Sequence, residues 1–467
     1  MHLFRRALVL AVIVACFAPA QASAASRMWA GFQDDQSFRW VDDRATLLDD
    51  AQAANATVIR ATVYWSKVAP RRPASAADPF DPAYRFTNLD DTVRAAQQRG
   101  IEVMLTVWGT PRWAGPGQNK VPRRLSDFQN FTRALAARYS GRYPGYPFVR
   151  FFSIWNEPNR GLFLSPQFSS RGKPLAPALY AKLVRAGYAG VKGGNRDALV
   201  AIGETASNGR DRPVKRKGLQ DTHSPGKFAE RLSKVRPKIK FDAWAHHPYP
   251  TSPSMRPTQK MRWPNVSLAS LPRFEQSLDK WFKRKSIPIW ITEYGHETKP
   301  DSRGVAFSTQ RSYLQQAFNI ARKDARVQMF IWFILADRPG VPWQSGLLTA
   351  SGNKKYAYAT FASLAKGVDA RNAVVGVHGQ DPLVRFSVQP MAYYAPIGSD
   401  VGVWWELQQG AEILGAGVPV VPLEADGWVS LRIPDFEPVP GLTYTLIVHA
   451  NNAAGIKSER VLTLIGT

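Results

Sequence analysis

Short apolar runs alternate with amphipathic stretches along most of this chain. The stretches repeat apolar residues at helical spacing and predict helices, at Ala45–Ala54, Leu89–Arg99, Leu125–Tyr139, Pro177–Val191, Phe228–Val235, Leu271–Lys283 and Ser308–Ala321. The runs are rich in β-branched and aromatic residues and predict strands, at Met28–Phe32, Ala56–Val63, Ile101–Val107, Val149–Trp155, Ala198–Gly203, Phe241–His246, Ile287–Thr292 and Gln328–Leu335. Eight strands alternating with helices predict an α/β fold, a (β/α)8 TIM barrel. A doubly wound sheet is the alternative, but no glycine fingerprint follows the first strand.

The pattern changes after Lys366, where helical periodicity stops. Short alternating runs separated by Gly, Pro, Asn and Asp predict further strands, at Leu383–Val388, Gly402–Leu407, Trp428–Ile433 and Thr443–Ala450. Such a series is typical of a small β-sandwich. We therefore predict a barrel over residues 25–366 and a C-terminal β-sandwich over residues 367–467.

The end of the chain resembles a known β module. Residues 441–455 are similar to the last strands of a fibronectin type III module, in which Tyr444 would be the corner tyrosine. The neighbouring residues Trp404 and Trp405 must point to opposite faces of a strand, so one of them has to face the core. The other could bind sugar.

The N-terminus has the pattern of an export signal. Arg5 and Arg6 precede the apolar run Ala7–Ala18, and the small residues Ala22–Ala24 follow. This order predicts a signal peptide over residues 1–24. We expect a secreted, periplasmic or cell-surface protein. No later stretch is long and apolar enough to predict stable membrane insertion.

Cys16 is the single cysteine of the chain. Because it lies in the predicted signal, the mature protein would have no thiol and no disulfide. The run Ile13–Cys16 also resembles a bacterial lipoprotein signal, in which the cysteine is acylated. Anchoring through Cys16 is the alternative to cleavage after Ala24.

The chain is strongly basic, with 61 Lys and Arg against 36 Asp and Glu. Acids outnumber bases after Lys366, so the excess positive charge belongs to the predicted barrel. One local cluster comprises Arg210, Arg212, Lys215, Arg216 and Lys217. Such a field attracts polyanions, of which an anionic polysaccharide is one option. The alternative is that the positive charge only solvates the surface. Nucleic acid is disfavoured as a partner because no nucleic-acid-binding module accompanies the charge.

Two glutamates stand where buried strands end. Glu157 follows the fourth predicted strand and Glu293 follows the seventh. A carboxylate at a buried strand end is costly unless it is solvated, paired or used in chemistry. Cleavage of a glycosidic bond requires two such groups, one to protonate the leaving oxygen and one to attack the sugar or activate water. Two ordinary strand-end glutamates are the alternative.

Three motifs in strand order carry a family resemblance. Trp155–Pro158 ends the fourth strand, His247 and Tyr249 follow the sixth, and Thr292–Gly295 ends the seventh. Together they resemble the retaining glycoside hydrolases of clan A, closest to the family 39 and family 5 types. The third-strand loop Thr110–Ala114 is similar to that of family 39.

The resemblance implies glycosidase activity and a role for each glutamate. Glu157 would be the general acid and base, and Glu293 the nucleophile. A general acid must be protonated at the working pH, which predicts a raised pKa for Glu157. Retention of the anomeric configuration is likewise implied by the resemblance alone.

Four polar residues are expected to support this pair. Arg60 is a strand cation that could keep Glu293 ionised and would otherwise be an uncompensated buried charge. Asn156 could hydrogen-bond the nucleophile and the sugar 2-hydroxyl. His247 and Tyr249 could orient either glutamate or the sugar. Taken singly, residues of these types are more often structural partners.

Aromatic rings near the strand ends are the second indication, because apolar sugar faces stack on them. The resemblance implies that Trp332 is the platform of the eighth strand, and we expect Trp108 and Trp343 to form cleft walls. Core packing is the alternative for each. Glu204 is an additional carboxylate at the end of the fifth strand, and pairing with the basic loop after it is favoured over substrate contact.

We interpret the chain as a secreted retaining glycoside hydrolase that cleaves a β-linked glycan or glycoside. It is expected to act as a monomer, with no metal and no cofactor. One alternative is a non-catalytic polysaccharide-binding barrel. Another is a transglycosylase, which uses the same residues and differs in how well its site excludes water.

Overall fold

The computed structural model describes residues 27–143, 146, 148–216, 218–300, 302–341, 343–371, 374–388, 398–424, 427–453 and 457–467. The predicted signal peptide, with Cys16, lies outside the described residues, as does Lys217 of the basic cluster. Among the described helices, none combines the length and apolar character that a membrane crossing requires.

Eight parallel strands close into a barrel in chain order, as predicted. They are β1 (Trp29–Gln33), β2 (Val58–Tyr64), β3 (Glu102–Trp108), β4 (Phe151–Ile154), β5 (Leu199–Ala206), β6 (Ala243–His247), β7 (Ile289–Tyr294) and β8 (Val327–Phe333). Strand β1 pairs with both β2 and β8, and its last residue, Gln33, lies opposite Arg60 and Phe333. These residues therefore share one level at the carboxyl ends of the strands.

Helices surround the barrel. They are α1 (Asp35–Arg39), α2 (Arg44–Ala53), α3 (Trp65–Val68), α4 (Thr87–Gln97), α5 (Leu125–Arg138), α6 (Ala176–Gly194), α7 (Pro225–Ser233), α8 (Leu271–Phe282), α9 (Phe307–Lys323) and α10 (Tyr356–Val368), with a 3₁₀ turn at Leu268–Ser270. Each of the seven predicted helices is confirmed. Helices α5 and α6 approach closely because Gly190 and Gly194 face α5, where a side-chain carbon would clash with its backbone.

The barrel interior is apolar below its mouth. Alternation along each strand sends one set of side chains inward, and the inward set comprises Val58, Met104, Phe151, Ala201, Ala243, Ala245, Trp290, Met329 and Ile331. Trp290 meets Phe151 edge to face at 5.3 Å between ring centroids. Above this apolar layer lie the carboxyl ends of the strands, which are the functional face of this fold.

The C-terminal region is all β, in agreement with the predicted sandwich. Its described strands are β9 (Val374–Val377), β10 (Leu383–Ser387), β11 (Asp400–Gln409), β12 (Glu412–Gly417), β13 (Val420–Pro422), β14 (Trp428–Arg432), β15 (Thr443–Asn452) and β16 (Lys457–Gly466). Strands β10 and β14 form a two-stranded sheet, and the others form a six-stranded sheet. The Tyr444 hydroxyl accepts a hydrogen bond from the Val439 N–H at 3.0 Å, the contact expected of a corner tyrosine.

The adjacent tryptophans of β11 point to opposite faces, as the alternation requires. Trp405 is 3% exposed and belongs to the sandwich core, whereas Trp404 is 38% exposed. The Trp405 ring lies against β12, where Gly415 and Gly417 leave space for it.

We expect Trp405→Ala to lower the free energy of unfolding of the C-terminal region by about 3–5 kcal/mol, because it removes a large buried ring. The matched variant Trp404→Ala should change it by about 0.5 kcal/mol or less, the usual effect at an exposed position. Chemical denaturation followed by circular dichroism measures both. Equal losses in the two variants would contradict this placement of the rings.

Candidate active site

Arg60 is the centre of a hydrogen-bond network at the barrel mouth. Its side chain points inward from β2 and is 1% exposed. Nε donates to Thr106 Oγ1 at 2.8 Å, Nη1 to Glu293 Oε1 at 2.6 Å, and Nη2 to Asn156 Oδ1 at 2.8 Å. Nη2 also lies 3.1 Å from Glu204 Oε2. The guanidinium therefore fixes two carboxylates and an amide from three other strands.

His247 joins the three glutamates of the site. Its Nε2 lies 2.7 Å from Glu204 Oε2. Its Nδ1 lies 3.2 Å from Glu157 Oε1 and 3.5 Å from Glu293 Oε2. The Tyr249 hydroxyl donates to the same Glu293 oxygen at 3.0 Å. A carboxylate oxygen of Glu157 and one of Glu293 lie within 4.8 Å of each other, so the two predicted catalytic groups meet at one point.

The charges of the network shift its pKa values. Burial disfavours the imidazolium of His247, but the charge of Glu293 and the hydrogen bonds of Glu157 and Glu204 outweigh it and raise the pKa of His247 to about 9. Burial also opposes ionisation of Glu204, yet Arg60 and then His247 hold the pKa of Glu204 at about 2. At neutral pH His247 is therefore a cation between carboxylates.

The expected raised pKa of Glu157 is wrong for the free protein. Burial does act to raise it, but the hydrogen bond from His247 and the charge of Arg160 outweigh burial and lower the pKa of Glu157. Arg160 Nε lies 3.2 Å from Glu157 Oε2. Two cations thus contact this carboxyl. The sequence predicted His247 as a residue that could orient it, but not as a cation, and it did not predict Arg160.

Local backbone irregularities place the glutamates. The backbone angle φ is 72° at Trp155 and 35° at Glu157. Residues other than glycine adopt such left-handed conformations only when the surrounding structure holds them there. The register of β7 against β8 shifts between Ile291 and Tyr294, which brackets Glu293. Departures from regular strand geometry of this kind re-aim side chains and are common beside active sites.

Glu204 departs most from the sequence prediction. It does not pair with the basic loop but lies fully buried between Arg60 and His247, and it accepts a hydrogen bond from Thr292 Oγ1 at 2.9 Å. Regular alternation after the inward Ala201 would turn it toward the helices. The register between β5 and β6 shifts at this residue, and this bulge turns the carboxylate into the barrel.

The placement of Trp332 as a sugar platform is wrong. Its ring faces the surrounding helices, is fully buried, and packs on Tyr294 with centroids 6.0 Å apart. Its Nε1 donates to the Ser345 carbonyl at 2.8 Å. Strand alternation sends the next residue, Phe333, to the mouth instead, where it lies 6.1 Å from the Tyr249 ring.

The two predicted cleft walls are both half-buried at the mouth. Trp343 lies 5.2 Å from Tyr249 and 5.9 Å from Phe333 between ring centroids. Trp108 packs edge to face on Tyr64 at 5.7 Å. A pocket of about 240 Å³ opens beside Trp343, Phe333 and Tyr64. Tyr249 hydrogen-bonds Glu293. Trp343 and Phe333 therefore lie beside the glutamates, where their rings can stack on a sugar.

One group of described residues has the donor atoms for a metal ion, and it is Glu157, His247 and Glu293. The raised pKa of His247 keeps a proton on its ring at neutral pH, and a metal ligand must be deprotonated. The Arg60 guanidinium already contacts Glu293 at 2.6 Å. These positive charges disfavour a further cation, and the group fits a carboxylate pair better than a metal centre.

Residues 21–337 match the model of the Cellulase family, described as glycosyl hydrolase family 5. The closed barrel and this match define the class, a glycosidase of clan A. The matched span is more than half of the chain, and the chain belongs to glycosyl hydrolase family 5. The predicted resemblance and the predicted enzyme class are thereby confirmed. A comparison with curated proteins finds no match.

Three solved structures share the fold. A family 39 glycoside hydrolase from the gut symbiont Bacteroides cellulosilyticus WH2 is 17% identical, with a TM-score of 0.53 over 87% of this chain and 79% of its own. A glucosidase from Croceicoccus marinus is 13% identical, with a TM-score of 0.55 over 88% and 94%. GH5_18 from Streptomyces cattleya, in complex with GlcNAc, is 15% identical, with a TM-score of 0.51 over 76% and 85%. At these identities the likeness shows the fold alone.

We expect Glu204→Gln to lower the pKa of His247 from about 9, because the variant removes a negative charge 2.7 Å from its Nε2. An NMR titration of labelled histidine measures this shift. His296 is the internal reference, since burial lowers its pKa to about 4 and its Nδ1 contacts the Pro253 backbone. An unchanged His247 titration would show that Glu204 does not hold the imidazolium.

The same pKa predicts how stability depends on pH. The folded-state pKa of His247, about 9, exceeds the ordinary value of 6.5, so its contribution is full below pH 6.5 and is lost as pH rises toward 9. We expect the free energy of unfolding to fall across this window more steeply in the wild type than in His247→Asn. Denaturant unfolding at several pH values measures both slopes, and parallel slopes would refute the expectation.

Proposed function

We propose that this family 5 enzyme is a retaining glycosidase that acts by double displacement, with Glu157 as acid and base and Glu293 as nucleophile. The observation that carries the proposal is the approach of their carboxylate oxygens to within 4.8 Å. Retaining enzymes hold their two carboxyl groups about 5–5.5 Å apart, whereas inverting enzymes need about 6.5–9.5 Å to admit a water molecule. The short separation favours retention.

The contacts of Glu293 suit a nucleophile. Arg60 donates to one of its oxygens and Tyr249 to the other, so the carboxylate is held in a fixed orientation at the barrel mouth. In the first step Glu293 attacks the anomeric carbon, and the leaving oxygen takes the proton of Glu157. In the second step Glu157 takes a proton from water, which attacks the same carbon and releases Glu293.

Glu157 has to gain a proton before the first step. A bound sugar excludes water from this carboxyl, and the added desolvation raises its pKa. The hydrogen bond between His247 Nδ1 and Glu157 Oε1, 3.2 Å long, offers a route for that proton from the imidazolium. Asn156, held by Arg60, is placed to hydrogen-bond the 2-hydroxyl of the sugar as the transition state forms.

The proposed substrate is a β-linked glycan or glycoside outside the cytoplasm. The family model is described as Cellulase and one structural neighbour as a glucosidase, which favours glycans over other substrates. The basic N-terminal segment with its apolar run favours export. A transglycosylase remains a second candidate because it would use the same two glutamates.

We expect Glu293→Gln to abolish turnover and Glu157→Gln to reduce it by about 10²–10⁴-fold, the usual contribution of general acid catalysis. The Glu157→Gln loss should be smaller on aryl glycosides with good leaving groups, because these need little protonation. Steady-state kinetics on a panel of aryl glycosides and polysaccharides measures both effects. Gln315, an exposed residue of α9, gives the matched control Gln315→Glu, which should retain activity.

A mechanism-based fluorosugar separates the alternatives. It should label Glu293 in the wild type, detected by peptide mass spectrometry, and NMR should show products with the anomeric configuration of the substrate. Labelling of another residue, or inverted products, would refute the proposal. Absence of both turnover and labelling would favour a non-catalytic binding barrel, and transfer to added sugar acceptors would favour the transglycosylase.

A further inference from the structure

We propose that the leaving-group side of the site binds an anionic sugar through a pair of arginines, Arg160 and Arg212. This inference rests on the proposed function, because it assigns the charge of the sugar that Glu157 releases. The substrate class is a glycan whose leaving unit carries a carboxylate, sulfate or phosphate group.

Arg160 lies on the side of Glu157 that faces away from the nucleophile. Its Nε is 3.2 Å from Glu157 Oε2, whereas His247 contacts the other oxygen, Oε1. The leaving group must lie against Glu157, since this carboxyl protonates the glycosidic oxygen. The Arg160 side chain is 34% exposed, so its guanidinium borders both the acid and the space into which the leaving sugar extends.

Arg212 projects from the same face of the molecule. Thr222 forms isolated antiparallel bridges with both Arg160 and Arg212, so the backbone segments of the two arginines lie on either side of Thr222. Directly opposed residues of antiparallel strands place their side chains on one face, and neighbouring strands are about 4.8 Å apart. Two long arginine side chains on either side of Thr222 can therefore converge on one anion.

The two acidic residues of this loop have hydrogen-bond partners of their own. Asp211 accepts hydrogen bonds from the backbone N–H and hydroxyl of Ser224, and Asp221 accepts one from the Val214 N–H. Both carboxylates thus hold the loop in shape. Within the part of the chain that the structure describes, Arg212 is exposed and makes no ion pair. Further exposed cations of the loop are Arg210, Lys215 and Arg216.

Guanidinium groups suit this ligand class. Their planar donors match carboxylate, sulfate and phosphate oxygens in pairs. Basic residues outnumber acidic ones in the barrel, and this excess positive charge adds a long-range attraction for polyanions. A neutral leaving sugar would accept only weaker hydrogen bonds from Arg212, whereas an anionic one would form charge-assisted bonds with it.

The test compares phenyl glycosides that differ only in a 4-carboxylate or 4-carboxamide group on the leaving ring, on the sugar that the panel identifies. We expect the wild type to prefer the carboxylate in kcat/KM, and Arg212→Gln to lower this preference about two- to fivefold, the range for an exposed charge contact. Arg212→Lys should keep part of it, and added salt should weaken it. Lys280→Gln, which removes an exposed cation of α8, should leave activity and preference unchanged.

Each remaining outcome is decisive. Equal kcat/KM for the two leaving rings, or an unchanged preference in Arg212→Gln, would overturn the inference while leaving the proposed function intact. An equal loss in Lys280→Gln would assign the preference to the general charge of the barrel and also overturn the inference. Absence of turnover on every glycoside, with no labelling of Glu293, would remove the proposed function and this inference with it.

Discussion

The buried guanidinium of Arg60 is the constraint on which the site depends. A cation that is 1% exposed is tolerated only if anions and hydrogen-bond acceptors surround it. Glu204, Glu293 and Asn156 meet that requirement from three different strands. The ion pairs that stabilise this cation therefore also set the position of the proposed nucleophile, so folding and preorganisation of the site share one interaction.

A second cation beside Arg60 reduces the repulsion among the three glutamates of the site. Three carboxylates within reach of one another would repel, and at least one would take up a proton. The imidazolium of His247 contacts all three, and Arg60 contacts two of them. In the proposed mechanism Glu204 is the anion that keeps its charge, while the charges of Glu157 and Glu293 change in each step.

Much of the architecture follows from periodicity. Each predicted strand and helix of the barrel is present, because burial of one face imposes a period that sequence shows directly. The strand ends also identified Arg60, Glu157 and Glu293 as one group. Glu204 was assigned to the wrong partner because a β-bulge reverses its direction, and no residue pattern announces that bulge. Trp332 and Phe333 are adjacent aromatics, so composition alone could not determine which one faces the mouth.

A buried side chain connects the segment of Glu157 with the basic loop that contains Arg212. Asn159 lies between Glu157 and Arg160 in sequence and is fully buried. Its amide donates to the carbonyls of Ala206 and His223 and accepts from the Ala206 N–H. This one side chain links the segment of Glu157 to the end of β5 and to the end of the basic loop. Movement of the arginines relative to the acid would break these buried hydrogen bonds, which costs about 1–3 kcal/mol for each group left unpaired. The proposed acid and the proposed site for the leaving sugar are therefore linked by one buried side chain.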